Sequence, residues 1–169
     1  NQNDLLSLKP VFQSDGTVTA GNSSGLNDGA AALVLGTKNA SKALGLKVRA
    51  RILGYAHSGV RPEVMGIGPI VAVKKLLKKT GLSIKDFNVI ESNEAFAAQA
   101  CAVSQELNLD PEIVNPNGGA IALGHPIGAT GAILVIKAFN ELERIDGSLG
   151  LITMCIGGGQ GIALAIERS

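Results

Sequence analysis

Residues Leu149 to Ile166 read LGLITMCIGGGQGIALAI. Two apolar runs, Leu149 to Ile156 and Gly161 to Ile166, flank the triplet Gly157-Gly158-Gly159. Runs of this length bounded by a glycine turn predict a hairpin of two buried strands. Upstream of it the pattern alternates. Val48 to Tyr55 predicts a strand, and Gly68-Pro69 opens a helix whose apolar stripe is Ile70, Val73, Leu76 and Leu77. Gly81 closes that helix. Asn88 to Ile90 predicts a strand, Glu94 to Leu107 an Ala-rich helix, Ile113-Val114 a brief strand, and Gly128 to Leu142 contains a further helix. Nearer the start, Ala30 to Leu35 reads as a buried strand and Asn39 to Leu44 as a short helix ended by Gly45. The order implies an α/β fold, a mixed β-sheet with helices packed on it. A seam near Gly45 divides residues 1–45 from residues 46–169.

Composition narrows the function classes. The chain has 169 residues, 46% of them hydrophobic, and its 22 glycines follow no collagen-like period. Tryptophan is absent and aromatics make up 3%, so the core is aliphatic. The formal charge of +1 and the shortage of aromatics argue against a nucleic-acid partner. Lys74, Lys75, Lys78 and Lys79 fall mostly off the apolar stripe and read as a solvated face. No run approaches the roughly 20 apolar residues that span a bilayer. The two cysteines, Cys101 and Cys155, form neither a disulfide framework nor a metal pair, so a reducing, cytoplasmic setting is expected, with no metal.

Three places combine a chemically useful side chain with a turn. Asn93, in Glu91-Ser92-Asn93-Glu94-Ala95-Phe96, stands where a strand gives way to a helix. Ligands gather at strand carboxyl ends in α/β sheets, but an Asn there is also a ready helix N-cap. His125 lies in Leu123-Gly124-His125-Pro126-Ile127-Gly128, between glycines that allow close backbone approach, in a stretch matching no phosphate-loop pattern. Cys155 ends a strand and enters the Gly157-Gly158-Gly159 turn, whose N–H groups can stabilise an oxyanion. A free cysteine is equally a small buried apolar residue. His57 and Cys101 read as structural, Cys101 on the packed face of its helix.

Together, Asn93-Glu94-Ala95-Phe96, Gly124-His125-Pro126-Ile127-Gly128 and Cys155-Ile156-Gly157-Gly158-Gly159, in this order and spaced 32 and 30 residues apart from Asn93 to His125 to Cys155, resemble the C-terminal signatures of the thiolase family, nearest its acetyl-CoA acetyltransferase branch. Thr17 to Ala30 (TVTAGNSSGLNDGA) resembles a fourth segment of that family. The resemblance implies an acyltransferase joining two acetyl-CoA molecules to acetoacetyl-CoA, and the reverse thiolysis. It uses coenzyme A thioesters as substrate and no further cofactor. It implies that Asn93 positions a water, which with the His125 imidazole forms one oxyanion hole. His125 also activates the nucleophilic cysteine, its neutral ring offering an N–H donor without net charge. Cys155 is the acid/base at the α-carbon, a thiol tunable toward neutrality by a nearby positive group or dipole. The Gly157 N–H belongs to a second oxyanion hole. The resemblance also implies that Ala20 and Ser24 touch the pantetheine arm and that Met65 and Phe96 line the acyl pocket.

The chain departs from the family pattern in one respect. The family's acylated cysteine lies in an N-terminal half, and no cysteine precedes Cys101 here. The resemblance thus casts residues 1–45 as the tail of the first half and 46–169 as the second. It implies an N-terminal half or companion chain as partner, a homo-oligomer, and no activity for these residues alone. Two other readings are a relative of the β-ketoacyl synthases, which usually pair a cysteine with two histidines, and a non-catalytic coenzyme A-binding or assembly module. Cys155 argues against the first, and retention of both His125 and Cys155 against the second.

Overall fold

The computed structural model describes residues 1–169. The elements are α1 (Gln2–Leu6), α2 (Lys38–Ala43), β1 (Ala50–Gly59), α3 (Gly68–Thr80), β2 (Val89–Ser92), α4 (Ala97–Leu107), α5 (Ala120–Leu123), α6 (Thr130–Arg144), β3 (Leu149–Ile156) and β4 (Gln160–Arg168). Short 3-10 turns at Pro62–Ile67 and Ile84–Asp86 lead into α3 and β2. The four strands form one mixed sheet in the order β1-β4-β3-β2. The hairpin forms as expected, with Cys155 opposite Gly161 across the antiparallel β3–β4 ladder. The β2–β3 pair is parallel, with Ser92 beside Thr153. A parallel pair requires a long crossover, and α4, α5 and α6 supply it.

Alternation along the strands gives the sheet two apolar faces. Leu151, Ala163 and Ala165 join Val73, Leu76 and Val103 in a core beneath α3 and α4. Ile152 and Ile166 join Leu134, Ala138 and Leu142 in a second core beneath α6. Leu76, Ile90, Leu142 and Leu151 are fully buried. Each such side chain contributes about 1.5–3 kcal/mol relative to exposure. The α3 helix follows its sequence signals: proline in the first turn, the expected stripe inward, and Gly81 at φ +75° donating its N–H to the Leu77 carbonyl. Its lysines face outward, with Lys74 paired to Glu106.

Five expectations are corrected. Ala30 to Leu35 forms no strand, and Val34 and Leu35 are 90% and 76% exposed. The run is apolar enough to be buried, but no strand among these residues pairs with it. No residue before Ala50 is buried. The α4 helix begins at Ala97 rather than Glu94, with Phe96 at the N-cap position, so Asn93 does not cap it. Cys101 is exposed. Gln99, Val103 and Leu107 define the inward face of α4 at a spacing of four, and Cys101 lies half a repeat from it. His57 lies within β1 rather than after it, and is exposed. The Ile113-Val114 strand reduces to a single bridge between Val114 and Ile90. The short α5 was not anticipated.

Candidate active site

The carboxyl ends of the adjacent parallel strands β2 and β3 carry the first and third sequence signatures. Asn93 follows β2, and its N–H donates to the Thr153 carbonyl at 3.0 Å, continuing the ladder by one step. Cys155 lies two residues further along β3. The β2 strand is an edge, and Asn115 covers that edge with its side chain. Its Oδ1 accepts from the Ser92 N–H at 2.9 Å, and its Nδ2 donates to the Ser92 carbonyl at 2.8 Å. This holds the strand end firm just before Asn93.

Asn93 is 1% exposed. Its Nδ2 lies 3.2 Å from His125 Nε2. No protein donor reaches its buried Oδ1. His125 arrives on the loop between α5 and α6. Gly124 permits that approach in two ways. Its φ of +101° is unfavourable for a side chain, and a Cβ there would meet Asn27 Cγ at 2.7 Å. Asn27 in turn accepts the His125 backbone N–H on its Oδ1 at 3.0 Å. The ring's other nitrogen, Nδ1, lies 2.7 Å from Thr130 Oγ1 at the start of α6. Partial burial lowers the His125 pKa, so the ring is neutral at neutral pH. A hollow of about 260 Å³ opens beside it, lined by Leu26, Asn27, Asp28, His125 and Ile127.

Cys155 is buried at 5% exposure, and burial pushes its thiol pKa up. This departs from the expected tuning toward neutrality. The thiol sits in an apolar hairpin, where desolvation of the thiolate dominates. A raised pKa makes the resting group a thiol and its conjugate thiolate a stronger base. Beyond it the glycine turn is open. Gly157 is exposed, and its N–H donates to no backbone carbonyl. Gly159 at φ +92° receives the Val60 carbonyl so closely that any Cβ would collide with it.

The four residues expected to bind substrate fall in two groups. Ser24 and Phe96 lie on paired segments: the Ser24 N–H donates to the Ala95 carbonyl at 3.0 Å, and Ser23 bridges Phe96. Met65, half-buried, sits on the 3-10 turn that packs on α4, where a Cβ on Gly66 would meet Gln99 Cγ at 2.8 Å. Ala20 is exposed on the turn before that segment. Sequence reading missed the supports. Glu94 accepts from the Ile121 N–H at 3.3 Å and from Asn115 Nδ2 at 3.4 Å. Lys137 of α6 donates to buried Glu91 at 2.7 Å and to the Gly118 carbonyl at 2.6 Å, tying the α5 approach to β2. Asn115, in Asn115-Pro116-Asn117-Gly118, signalled only a turn.

Residues 46–168 match the family model for the thiolase C-terminal domain, and residues 1–39 that for the thiolase N-terminal domain. A beta-ketothiolase of Cupriavidus necator is 58% identical over 166 residues, 98% of this chain and 42% of that protein. An acetyl-CoA acetyltransferase of Escherichia coli strain K12 is 56% identical over 164 residues, 97% of this chain and 42% of that protein. The crystal structure of the Bacillus anthracis acetyl-CoA acetyltransferase superposes with a TM-score of 0.96 at 50% identity, covering 100% of this chain and 43% of that one. Human mitochondrial 3-ketoacyl-CoA thiolase superposes at 0.92 with 46% identity, covering 100% of this chain and 43% of its own. The chain thus spans under half the length of the relatives it matches.

Proposed function

The chain belongs to the thiolase family, and from that premise we propose that it supplies the proton-transfer and oxyanion groups of a coenzyme A-dependent acyltransferase. The reaction is the Claisen condensation of two acetyl-CoA molecules to acetoacetyl-CoA, with thiolysis as its reverse. The observation that carries this reading is the approach of Asn93 to His125 at 3.2 Å, at the end of β2 and beside β3, which carries Cys155.

The chemistry asks for these groups. An α-proton of a thioester is a poor acid, so its removal needs a base and a place for the enolate charge together. Cys155 is the base in its thiolate form and returns the proton in the reverse direction. Its raised pKa favours proton uptake once the thiolate has formed. Asn93 Oδ1, buried without a protein donor, is suited to hold a water whose second proton points at the enolate oxygen. His125 Nε2 stands beside it. Gly157, with its N–H unclaimed by the backbone, is suited to a second oxyanion hole at the thioester carbonyl of the acyl-enzyme. Met65 and Phe96 would border the acyl group, and Ala20 and Ser24 the pantetheine arm. The substrate is the coenzyme A thioester itself, with no further cofactor.

The acyl-bearing cysteine of this scheme is assigned to a first half outside the residues described, with Cys155 engaged in proton transfer and Cys101 exposed on α4. Residues 1–45 are read as the end of a first thiolase half and 46–169 as the second. Leu26, Val34 and Leu35 are 92%, 90% and 76% exposed, and an apolar surface of this kind suits contact with that half and with a second subunit. No helix is long and apolar enough to cross a membrane. Both cysteines are free, which suits a cytoplasmic protein. The test of Cys155 is exchange of acetyl-CoA α-protons with deuterated water by the protein joined to its first half. Cys155→Ala should nearly abolish exchange while acylation of the upstream cysteine persists. Unchanged exchange would remove Cys155 from the mechanism.

A further inference from the structure

We infer that Lys75 and Lys79 of α3 close the free edge of the sheet at β1, so that a second copy of the chain cannot add to it as a further strand. β1 is the outermost strand in the order β1-β4-β3-β2. In an antiparallel ladder every second residue bonds to the partner strand, and the residues between them point their N–H and C=O away from it. Val60 continues the β1–β4 register by one step, and its N–H donates to the Gly159 carbonyl at 2.6 Å. Val60 is therefore a bonded position, as are Ser58 and Ala56 at spacings of two. Arg49 sets the opposite parity at the other end, since its carbonyl accepts the Ser169 N–H at 3.1 Å. The register shift between Ile52 and Gly54 reconciles the two. Tyr55, His57 and Gly59 thus turn their backbone groups to the open side.

Two lysines answer two of these carbonyls. Lys79 Nζ donates to the Tyr55 carbonyl at 3.2 Å, and Lys75 Nζ to the His57 carbonyl at 3.4 Å. The spacings match, since four residues of helix rise about 6 Å and two residues of strand about 6.6 Å. Helix and strand run in opposite senses, so the later lysine meets the earlier carbonyl. Gly54 lets α3 lie this close, because a Cβ there would meet Thr80 Cγ2 at 2.9 Å. Lys79 Nζ also stands 4.8 Å from the centre of the Tyr55 ring, which holds it over the edge. Lys74, by contrast, turns to Glu106. A bare ten-residue edge strand, with Ile52 and Tyr55 50% and 57% exposed, is a template for pairing, and edge lysines are a general defence against it. An incoming strand would have to displace two charge-assisted hydrogen bonds. The inference is independent of the proposed reaction.

The experiment compares sedimentation equilibrium of the 169-residue protein with that of variants whose folding is checked by circular dichroism. Association through the apolar surface of residues 1–45 is common to all of them and cancels in the comparison. Lys75→Met with Lys79→Met keeps both stems and removes the donors. Its self-association constant should exceed that of the unsubstituted protein by about tenfold or more, the factor expected for two lost hydrogen bonds. Lys75→Arg with Lys79→Arg keeps donors at both positions and should stay at the unsubstituted level. Adding His57→Pro to the methionine pair removes an outward N–H and obstructs strand addition, so the extra association should disappear. An unchanged constant in the methionine pair, or extra association that survives His57→Pro, would overturn the proposal. Amide hydrogen exchange of the unsubstituted protein tests the parity without any variant. The Tyr55 and His57 N–H groups should exchange faster than those of Ala56 and Ser58, and equal protection would overturn the proposal.

Discussion

Asn93 and His125 stand 32 residues apart in the chain, and their side chains meet at 3.2 Å, Nδ2 to Nε2. The contact joins the end of β2 to a loop held from four sides, by Asn27 on its backbone, Thr130 on the ring, and Glu94 and Lys137 on the segment leading into it.

Asn93→Asp places a carboxylate beside Nε2. The opposite charge favours the imidazolium, so the His125 pKa should rise from below the ordinary imidazole value to above it. The stability linkage reverses with it. In the unsubstituted protein His125 resists protonation on folding, and its contribution is lost as pH falls through the imidazole range. In Asn93→Asp the pair contributes at low pH, and that contribution is lost as pH rises through the raised pKa. An NMR titration of the His125 ring protons measures the shift, and an unmoved midpoint would contradict the contact. In the complete enzyme, Asn93→Ala should lower turnover by about 10²–10³-fold, the usual loss for one oxyanion donor.

The two thiols should behave differently toward a thiol-specific alkylating reagent. Cys101 is exposed, whereas Cys155 is buried with its pKa pushed up by desolvation. Cys101 should react first at neutral pH, and Cys155 slowly, accelerating only as pH rises through the alkaline range. Peptide mapping by mass spectrometry after timed labelling distinguishes them. Faster labelling of Cys155 would contradict the burial described.

Much of this was legible in the sequence because the relevant residues carry their own signals. The Gly157-Gly158-Gly159 turn, the glycines around His125 and the Gly68-Pro69 helix start are local features, and the structure keeps them. The misreadings concern partners that a sequence does not show. Ala30 to Leu35 has the composition of a buried strand, yet burial depends on a neighbouring strand to pair with. Cys101 was placed inward because the Ala-rich run around it marks no apolar stripe, and the inward face set by Gln99, Val103 and Leu107 becomes visible only in the packed helix. Thr130 reads as an ordinary residue of a helix start, and its importance comes only from the His125 ring that the loop folds onto it.

The buried pair of Glu91 and Lys137 should give a pH-dependent cost when broken. Burial raises the Glu91 pKa despite the Lys137 ammonium at 2.7 Å. A carboxylate raised in the fold is favoured protonated, so its contribution is fully present below the unfolded pKa and is lost as pH rises. Removing the cation sharpens this. Lys137→Met should destabilise the protein by about 3–5 kcal/mol at about pH 8, where Glu91 is left charged and unpaired, and by much less near pH 5, where it takes up a proton. Glu91→Gln in the Lys137→Met background should restore most of the loss at the higher pH. Urea unfolding at the two pH values measures both, and an equal cost at each would contradict the account.

The central claim is that these residues hold the proton-transfer half of a thiolase site and need an acyl-bearing first half to act. Joining the first portion of the Bacillus anthracis acetyl-CoA acetyltransferase, which is 50% identical over the shared region, ahead of Asn1 tests this. The measurement is coenzyme A-dependent cleavage of acetoacetyl-CoA, followed for the joined protein, for its Cys155→Ala variant and for the 169-residue chain alone. The account predicts cleavage by the joined protein, near-complete loss in Cys155→Ala, and none above background for the chain alone. A joined protein that is folded by circular dichroism yet inactive, or cleavage that survives Cys155→Ala, would contradict it.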